Sequence, residues 1–132
     1  MLAPAKVRTL DAASLLLPTW WDNRHKRSRR ARDGRVRVEV GNPAISGRKE
    51  RVEFLIAPDA LYSIVPAVIL DRLGILPFRE EDFLLADGTT TRRKIGAAVF
   101  RRGRRIGFAN VVFGQEHDPT RLGGLTLPMI VR

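Results

Sequence analysis

Apolar and polar residues alternate along several short segments of this chain, and this period of two constrains the fold more than any other feature of the sequence. Side chains of a β-strand point alternately to its two faces, so each alternating segment predicts a strand with one buried face. The apolar members of the three clearest segments are Val36, Val38 and Val40; Val52, Phe54 and Ile56; and Ile95, Ala97 and Val99. The second segment is apolar on its other face too, through Leu55 and Ala57, which predicts a central strand.

Turn and helix signals separate these strands. Pro66 suits the first turn of a helix that Gly74 would end. Hairpin turns are expected at Asp87-Gly88 and at Arg102-Gly103. The pattern predicts a small, mostly β domain with an antiparallel sheet and one short helix.

The charge distribution predicts a boundary near Gly34, between a basic, flexible N-terminal extension at residues 1–34 and a folded domain at residues 35–132. Half of the net charge of +10 lies in the extension, where eight lysines and arginines stand against three acids. A short helix is expected over Asp11–Leu17. The extension also holds a run of cations that repel one another and are expected to stay solvated: Arg24, Lys26, Arg27, Arg29, Arg30 and Arg32.

Composition excludes several classes of function. The chain has 132 residues, enough for one domain of ordinary size, and 44% of them are apolar, which allows a packed core. Because there is no cysteine, disulfides, thiolate metal sites and thiol catalysis are excluded. The two histidines, His25 and His117, are far apart and are expected at the surface, so we predict no metal and no cofactor. No apolar run reaches the ~18 residues of a membrane span, and we expect a cytoplasmic protein.

One loop combines an apolar strand, a carboxylate and a second apolar run. It lies within residues 54–66, FLIAPDALYSIVP. Taken alone, Pro58-Asp59 favours a plain β-turn, since both residue types favour turns.

The same segment resembles the active-site segment of the retropepsin-like aspartic proteases, in which an apolar strand runs into Asp-Thr/Ser-Gly-Ala. In that alignment Ala57, Pro58 and Asp59 stand at the Asp, Thr/Ser and Gly positions. Ala60 matches the alanine that follows. The likeness is to the small bacterial members of this clan and covers about residues 35 to 130. It continues, in the family's order, through residues 65–75, 83–88, 111–114 and 121–127.

The resemblance implies a retropepsin-like half-barrel that forms a two-fold homodimer and takes peptide or protein as substrate. Each subunit of such an enzyme supplies one aspartate at a loop tip. The two carboxylates share a proton, so one activates water while the other polarises the peptide carbonyl. The resemblance also implies that the hairpin at Asp87 and Gly88 covers the cleft.

The departures from the family pattern bear directly on activity. Ala57 stands where the catalytic aspartate is required, so an endopeptidase would have to use Asp59, two positions later with the same strand parity. Pro58 lacks the hydroxyl that braces the two loops and has no backbone N–H. Asp59 also replaces a glycine that allows unusual backbone angles. We therefore predict an impaired or inactive aspartic endopeptidase; the alternative is a non-catalytic module that binds extended peptide.

The basic extension suggests a third, less favoured function. Trp20-Trp21 and the cations that follow could stack on bases and contact phosphates of nucleic acid without sequence preference. They could also dock on an anionic membrane surface or remain a solvated extension. The sequence leaves these interpretations open.

Overall fold

The computed structural model describes residues 8–9, 34–84 and 88–131. Most of these residues form strands, which confirms the predicted mostly β domain. The elements in chain order are β1 (Arg8–Thr9), β2 (Arg35–Gly41), β3 (Lys49–Ile56), β4 (Ser63–Pro66), α1 (Ala67–Arg72), β5 (Arg79–Leu84), β6 (Thr90–Arg102), β7 (Arg105–Gly114), β8 (Arg121–Leu122) and α2 (Leu127–Ile130).

The strands form one mixed sheet in the order β1-β5-β6-β2-β3-β8-β4-β7, and β6 also pairs with β7. This extra pairing closes the strands from β6 round to β7 into a ring. The expectation of an antiparallel sheet is wrong, because β3–β8, β4–β7 and β1–β5 are parallel pairs. As predicted, β3 is an interior strand, since β2 and β8 flank it.

Two apolar clusters form the core. The main cluster lies between β2, β3, β6, β7 and the two helices, and within it the rings of Phe54 and Phe100 meet edge to face with centroids 6.2 Å apart. The second cluster is smaller and consists of Ile64, Phe83, Ile95 and Val112, with Tyr62 packed against it. Strand β6 serves both clusters. Its buried apolar side chains are Ile95 in one cluster and Ala98 and Phe100 in the other, whereas Ala97 and Val99 are only half-buried.

Helix α1 begins and ends where the sequence predicts. Pro66 precedes its first residue, and Gly74 follows it with φ +76°, a left-handed conformation that glycine adopts without strain. The N–H groups of Gly74 and Ile75 donate to the carbonyls of Asp71 and Leu70, each at 3.0 Å. These bonds satisfy carbonyls that the end of the helix leaves open.

The expectation of a single helix is wrong, because a second helix, α2, follows β8. It is only four residues long, and its sequence, Leu-Pro-Met-Ile, is too short for any helical period. Packing decides its conformation instead. Ile130 is fully buried in the main core, and the N–H of Leu127 donates to the Gly123 carbonyl at 3.0 Å.

Both predicted hairpins are present. In the β6–β7 hairpin, Arg102 faces Arg105 across a tight turn in which Gly103 has φ +63°. In the β5–β6 hairpin, Leu84 and Thr90 form the last residue pair before the loop. Gly88 is exposed with φ +90°, while Asp87 lies outside the described residues. The basic run and the expected helix over Asp11–Leu17 also lie outside them. Within the described part of the chain, no helix is long and apolar enough to cross a membrane.

Candidate functional site

The loop between β3 and β4 contains the four predicted loop residues in one β-turn. The N–H of Ala60 donates to the carbonyl of Ala57 at 3.0 Å, so Pro58 and Asp59 occupy the two central positions. Proline at the first central position and aspartate at the second suit an ordinary turn. Among the described residues only glycines have positive φ, so Asp59 does not adopt the left-handed backbone angles that glycine permits.

The side chains of this turn differ in burial and in their hydrogen-bond partners. Ala57, Pro58 and Asp59 are partly buried, and Ala60 is buried. Among the described residues, Asp59 takes part in no hydrogen bond or ion pair. Its carboxylate is therefore not committed to holding the loop, and it is the only acid–base group that the turn contains.

A second segment of the chain, residues 121–126, crosses directly behind the turn. The N–H of Ala57 donates to the Leu122 carbonyl at 3.0 Å, and the Ala60 carbonyl accepts from the N–H of Gly124 at 2.6 Å. The Leu61 carbonyl accepts from the N–H of Leu125 at 3.4 Å. These backbone bonds fix the turn from both ends, so it is presented on a rigid support.

Gly123 is the point of closest approach between the two segments. A Cβ atom at this position would lie 2.6 Å from the carbonyl carbon and oxygen of Tyr62 and 2.7 Å from the Leu61 oxygen. Because these are backbone atoms, no rotamer change could relieve the contact. The crossing therefore requires glycine for space, at a position that the sequence marks only as an interruption of an apolar stretch.

Two buried hydroxyls complete the support. Ser63 Oγ accepts a hydrogen bond from the Gly123 N–H at 2.9 Å and lies 2.8 Å from Thr126 Oγ1. Both side chains are fully buried. Loss of either hydroxyl would leave a buried polar group without its partner, so Ser63 and Thr126 have a structural role here and are unsuited to act as nucleophiles.

Tyr62 connects the loop to the β5–β6 hairpin. Its hydroxyl donates to Glu81 Oε1 at 3.3 Å and accepts from Arg79 Nη2 at 3.1 Å, and Arg79 also pairs with Glu81 at 3.2 Å. The Tyr62 and Phe83 rings meet edge to face with centroids 6.4 Å apart. Sequence reasoning missed this contact, although Arg79, Glu81 and Phe83 have the spacing of residues on one face of a strand.

Ion pairs also lie on the exposed outer side of the same hairpin. Arg92 pairs with Glu80 at 2.9 Å and with Asp82 at 2.7 Å. The hydrogen bond to Glu80 and the charge of Asp82 raise the pKa of Arg92. A raised pKa gives stabilisation that is present at every pH below the ordinary arginine value and is lost only in strong alkali. Titration of Arg92 therefore leaves the hairpin unchanged near neutral pH.

Arg121 is a second feature that sequence reasoning missed. It lies on β8 between Leu55 and Ile64, and its side chain is only 1% exposed. It is the largest fully buried side chain among the described residues. Its neighbours in sequence are apolar or small, so no local signal sets it apart from the exposed arginines.

The described residues contain no group of three or more His, Cys, Asp or Glu side chains that could hold a metal ion. His117 is exposed, as the sequence predicts. Comparisons with protein-family models, with curated proteins and with solved structures found no match to this chain.

Proposed function

We propose that this chain is a retropepsin-like domain that binds extended peptide in its cleft without cleaving it. The observation that carries the proposal is the anchored turn at the end of β3. Residues 121–126 hold the turn from behind. The first residue of the turn is Ala57, which the resemblance aligns with the family's aspartate. A methyl group cannot share or transfer a proton, so the acid–base step has no residue at that position.

The order of the elements supports the family assignment. The pieces of sequence that resemble the family fall on β3 to β4, on α1, on the β5–β6 hairpin, on the end of β7 and on β8 with the turn before α2. A crossing that requires glycine, behind a loop that ends a central strand, is the backbone arrangement that such a loop needs for support.

The hairpin supports peptide as the ligand. Tyr62, Arg79 and Glu81 tie the base of the hairpin to the end of the loop, so the two elements are held side by side. An extended peptide can be held by main-chain hydrogen bonds, with alternate side chains in pockets. This mode of binding needs no ionisable group at Ala57, so it can persist where hydrolysis is lost.

A weak endopeptidase that uses Asp59 is the second candidate. One observation favours it: the Asp59 carboxylate has no hydrogen-bond or ion-pair partner among the described residues, so it is free to act on a ligand. Its position in the centre of the turn, two residues beyond Ala57, argues against it. A displacement of about 1 Å of a catalytic group already costs ~100-fold in rate.

Binding and turnover of an unfolded protein substrate separate the two candidates. We expect fluorescence anisotropy to detect binding of labelled unfolded polypeptide, while mass spectrometry detects no cleavage between about pH 4 and 6, the range that a shared-proton dyad suggests. Asp59→Ala should leave the binding unchanged. If the parent cleaves robustly and Asp59→Ala abolishes the cleavage, Asp59 is catalytic and the second candidate is correct.

Repair of the loop tests the family assignment itself. The triple variant Ala57→Asp, Pro58→Thr, Asp59→Gly should gain proteolysis, since a properly placed acid–base group contributes ~10²–10⁴-fold. Ala57→Asp alone should gain less, because Pro58 still withholds the hydroxyl and Asp59 adds a second negative charge. A triple variant that folds and dimerises yet stays inert would contradict the retropepsin-like assignment of this loop.

A further inference from the structure

The solvent face of the sheet, opposite the main core, carries more cations than anions. The strand register places Arg37 opposite Glu53, Arg51 opposite Glu39, and Arg101 on the other side of Glu39. Directly paired residues share a face of the sheet, so these side chains form one surface. Its five cations are Arg35, Arg37, Lys49, Arg51 and Arg101, against the two acids Glu39 and Glu53.

The same surface continues onto an exposed aromatic ring. Ile106 lies opposite Arg101, and Phe108 lies opposite Val99, on the paired strands β6 and β7. Phe108 is 63% exposed and Ile106 is 45% exposed. The exposed ring of Phe108 and the guanidinium group of Arg101 therefore belong to neighbouring residue pairs on the same face of the sheet.

Two adjoining cavities lie along this surface, and both are lined by Glu39 and Arg101. The first has a volume of ≈ 270 Å³, with apolar walls from Ile45, Ile106 and Phe108. The second has a volume of ≈ 330 Å³ and is lined by further arginines. Those arginines are Arg37, Arg51 and Arg102. The first cavity also has Arg48 and Lys49 in its lining, so apolar walls and cations lie together there, next to a space that is lined by guanidinium groups.

Most of these cations are not neutralised within the domain. Glu39 is shared between Arg101, at 3.5 Å, and Lys49, at 3.7 Å. Among the described residues, the side chains of Arg37 and Arg51 take part in no hydrogen bond or ion pair. A guanidinium group presents a planar set of donors that binds a phosphate through two parallel hydrogen bonds, so both arginines are available for an anionic ligand.

We propose that this surface binds single-stranded nucleic acid, with a base against Phe108 and Ile106 and phosphates on Arg37, Arg51 and Arg101. Alternation of an apolar space with a cationic one matches a polymer that alternates bases with phosphates. An acidic peptide offers carboxylates, but it does not carry a flat ring on every unit as a nucleic acid does. An anionic membrane is recognised by polybasic segments or an amphipathic helix, which this sheet surface does not provide. The site is separate from the loop at Ala57, so it does not depend on the proposed peptide binding.

The test measures binding of the full chain to a fluorescent oligothymidine of about 20 nucleotides, longer than one ordinary binding site. The double variant Arg37→Gln, Arg51→Gln removes two cations that have no internal partner. We expect at least about ten-fold weaker binding at moderate salt, with a log–log salt slope smaller by about 1.4, which is two phosphate contacts on a single strand.

The matched control is Arg92→Gln, Lys94→Gln, which removes the same charge from the β5–β6 hairpin. Lys94 is seven residues from Arg101 along β6, or roughly 23 Å. We expect the control to change affinity less than about two-fold. Equal losses in the two double variants would overturn the proposal, since net charge or the N-terminal cations would then account for the binding.

Phe108 supplies a readout that charge does not affect. Phe108→Ala should weaken binding at least about five-fold, because stacking on a base is lost, while the salt slope stays unchanged. Phe78→Ala is the control, since Phe78 is 56% exposed at a different place. An unaffected Phe108→Ala variant would overturn the proposal. So would polyglutamate that competes as well as unlabelled oligothymidine, or binding to anionic vesicles that needs Arg37 and Arg51 while oligothymidine binding does not.

Discussion

At the scale of single residues, Gly123 and Gly41 differ in the space that surrounds them. A Cβ on Gly123 would meet backbone atoms of Leu61 and Tyr62 at 2.6–2.7 Å, whereas a Cβ on Gly41 would lie no nearer than 3.4 Å to any neighbour. The first position cannot accept a side chain unless the crossing segment moves. The second lies in an ordinary strand, where alanine costs no contact and reduces the freedom of the unfolded chain.

We expect Gly123→Ala to lower the free energy of unfolding by about 3 kcal/mol or more, because overpacking against backbone cannot be relieved locally. Gly41→Ala, the matched control, should change it by less than about 1 kcal/mol. Equilibrium urea unfolding measures both. Similar stabilities for the two variants would mean that the loop and the crossing segment are held less closely than the structure has them.

The turn at Ala57–Ala60 shows how far sequence reasoning reaches at this scale. Pro58 and Asp59 predict the turn by themselves, because their backbone preferences act locally. The contacts that support the turn from the distant segment 121–126 could not be predicted. The partners Gly123 and Thr126 lie about half the chain away, and nothing near the turn specifies which distant glycine or hydroxyl will reach it.

At the scale of elements, the β5–β6 hairpin is held at its base by the Tyr62 hydroxyl. Tyr62→Phe keeps the ring contact with Phe83 and removes the hydrogen bonds to Glu81 and Arg79. We expect amide hydrogen exchange of Arg79–Leu84 to become about five-fold faster, as the loss of ~1 kcal/mol predicts. Exchange in β2 and β3 should stay unchanged.

Arg92→Gln is the control for this prediction, because its ion pairs lie on the exposed outer side of the same hairpin. Exposed pairs contribute little, so exchange in Arg79–Leu84 should change less than in Tyr62→Phe. A uniform acceleration across the whole sheet in Tyr62→Phe would instead assign Tyr62 to global stability and contradict a local role.

The elements were predictable to the extent that their signals are local. Strands β2, β3 and β6 follow from alternation, and α1 follows from Pro66 and Gly74, since each signal lies within the element. The parallel pairs and α2 do not follow, because tertiary contacts decide them. Alternation on β6 also misled in part: Ala98 and Phe100 are buried rather than Ala97 and Val99, because that strand contacts both apolar clusters.

At the scale of the whole molecule, the loop lies beside exposed apolar side chains. Leu125 is 44% exposed, and its N–H donates to the Leu61 carbonyl next to the turn; Leu55 is exposed on the strand that leads into it. The proposed cleft needs two copies of this loop related by a two-fold axis. Pro58 cannot supply a hydroxyl bond between them, which removes ~1 kcal/mol of stabilisation.

We therefore expect sedimentation velocity to detect a reversible dimer at tens of micromolar protein. Leu125→Asp should shift the equilibrium to monomer, because it places a charge in the interface. Leu76→Asp, at a position that is 81% exposed, is the control and should leave the dimer intact. A chain that sediments only as a monomer at every concentration would contradict the two-fold arrangement.

The crossing segment also has a consequence for biosynthesis. Strand β8 lies between β3 and β4, and the hydroxyls that lock it there, on Ser63 and Thr126, are 63 positions apart in the chain. A ribosome releases β3 and β4 long before it releases β8. Until then β3 and β4 have a gap between them. The backbone donors and acceptors along this gap are unpaired, and another strand could pair with them. The last step in building this sheet must therefore follow synthesis of Thr126, and until that step the unpaired strand edges are open to foreign strands.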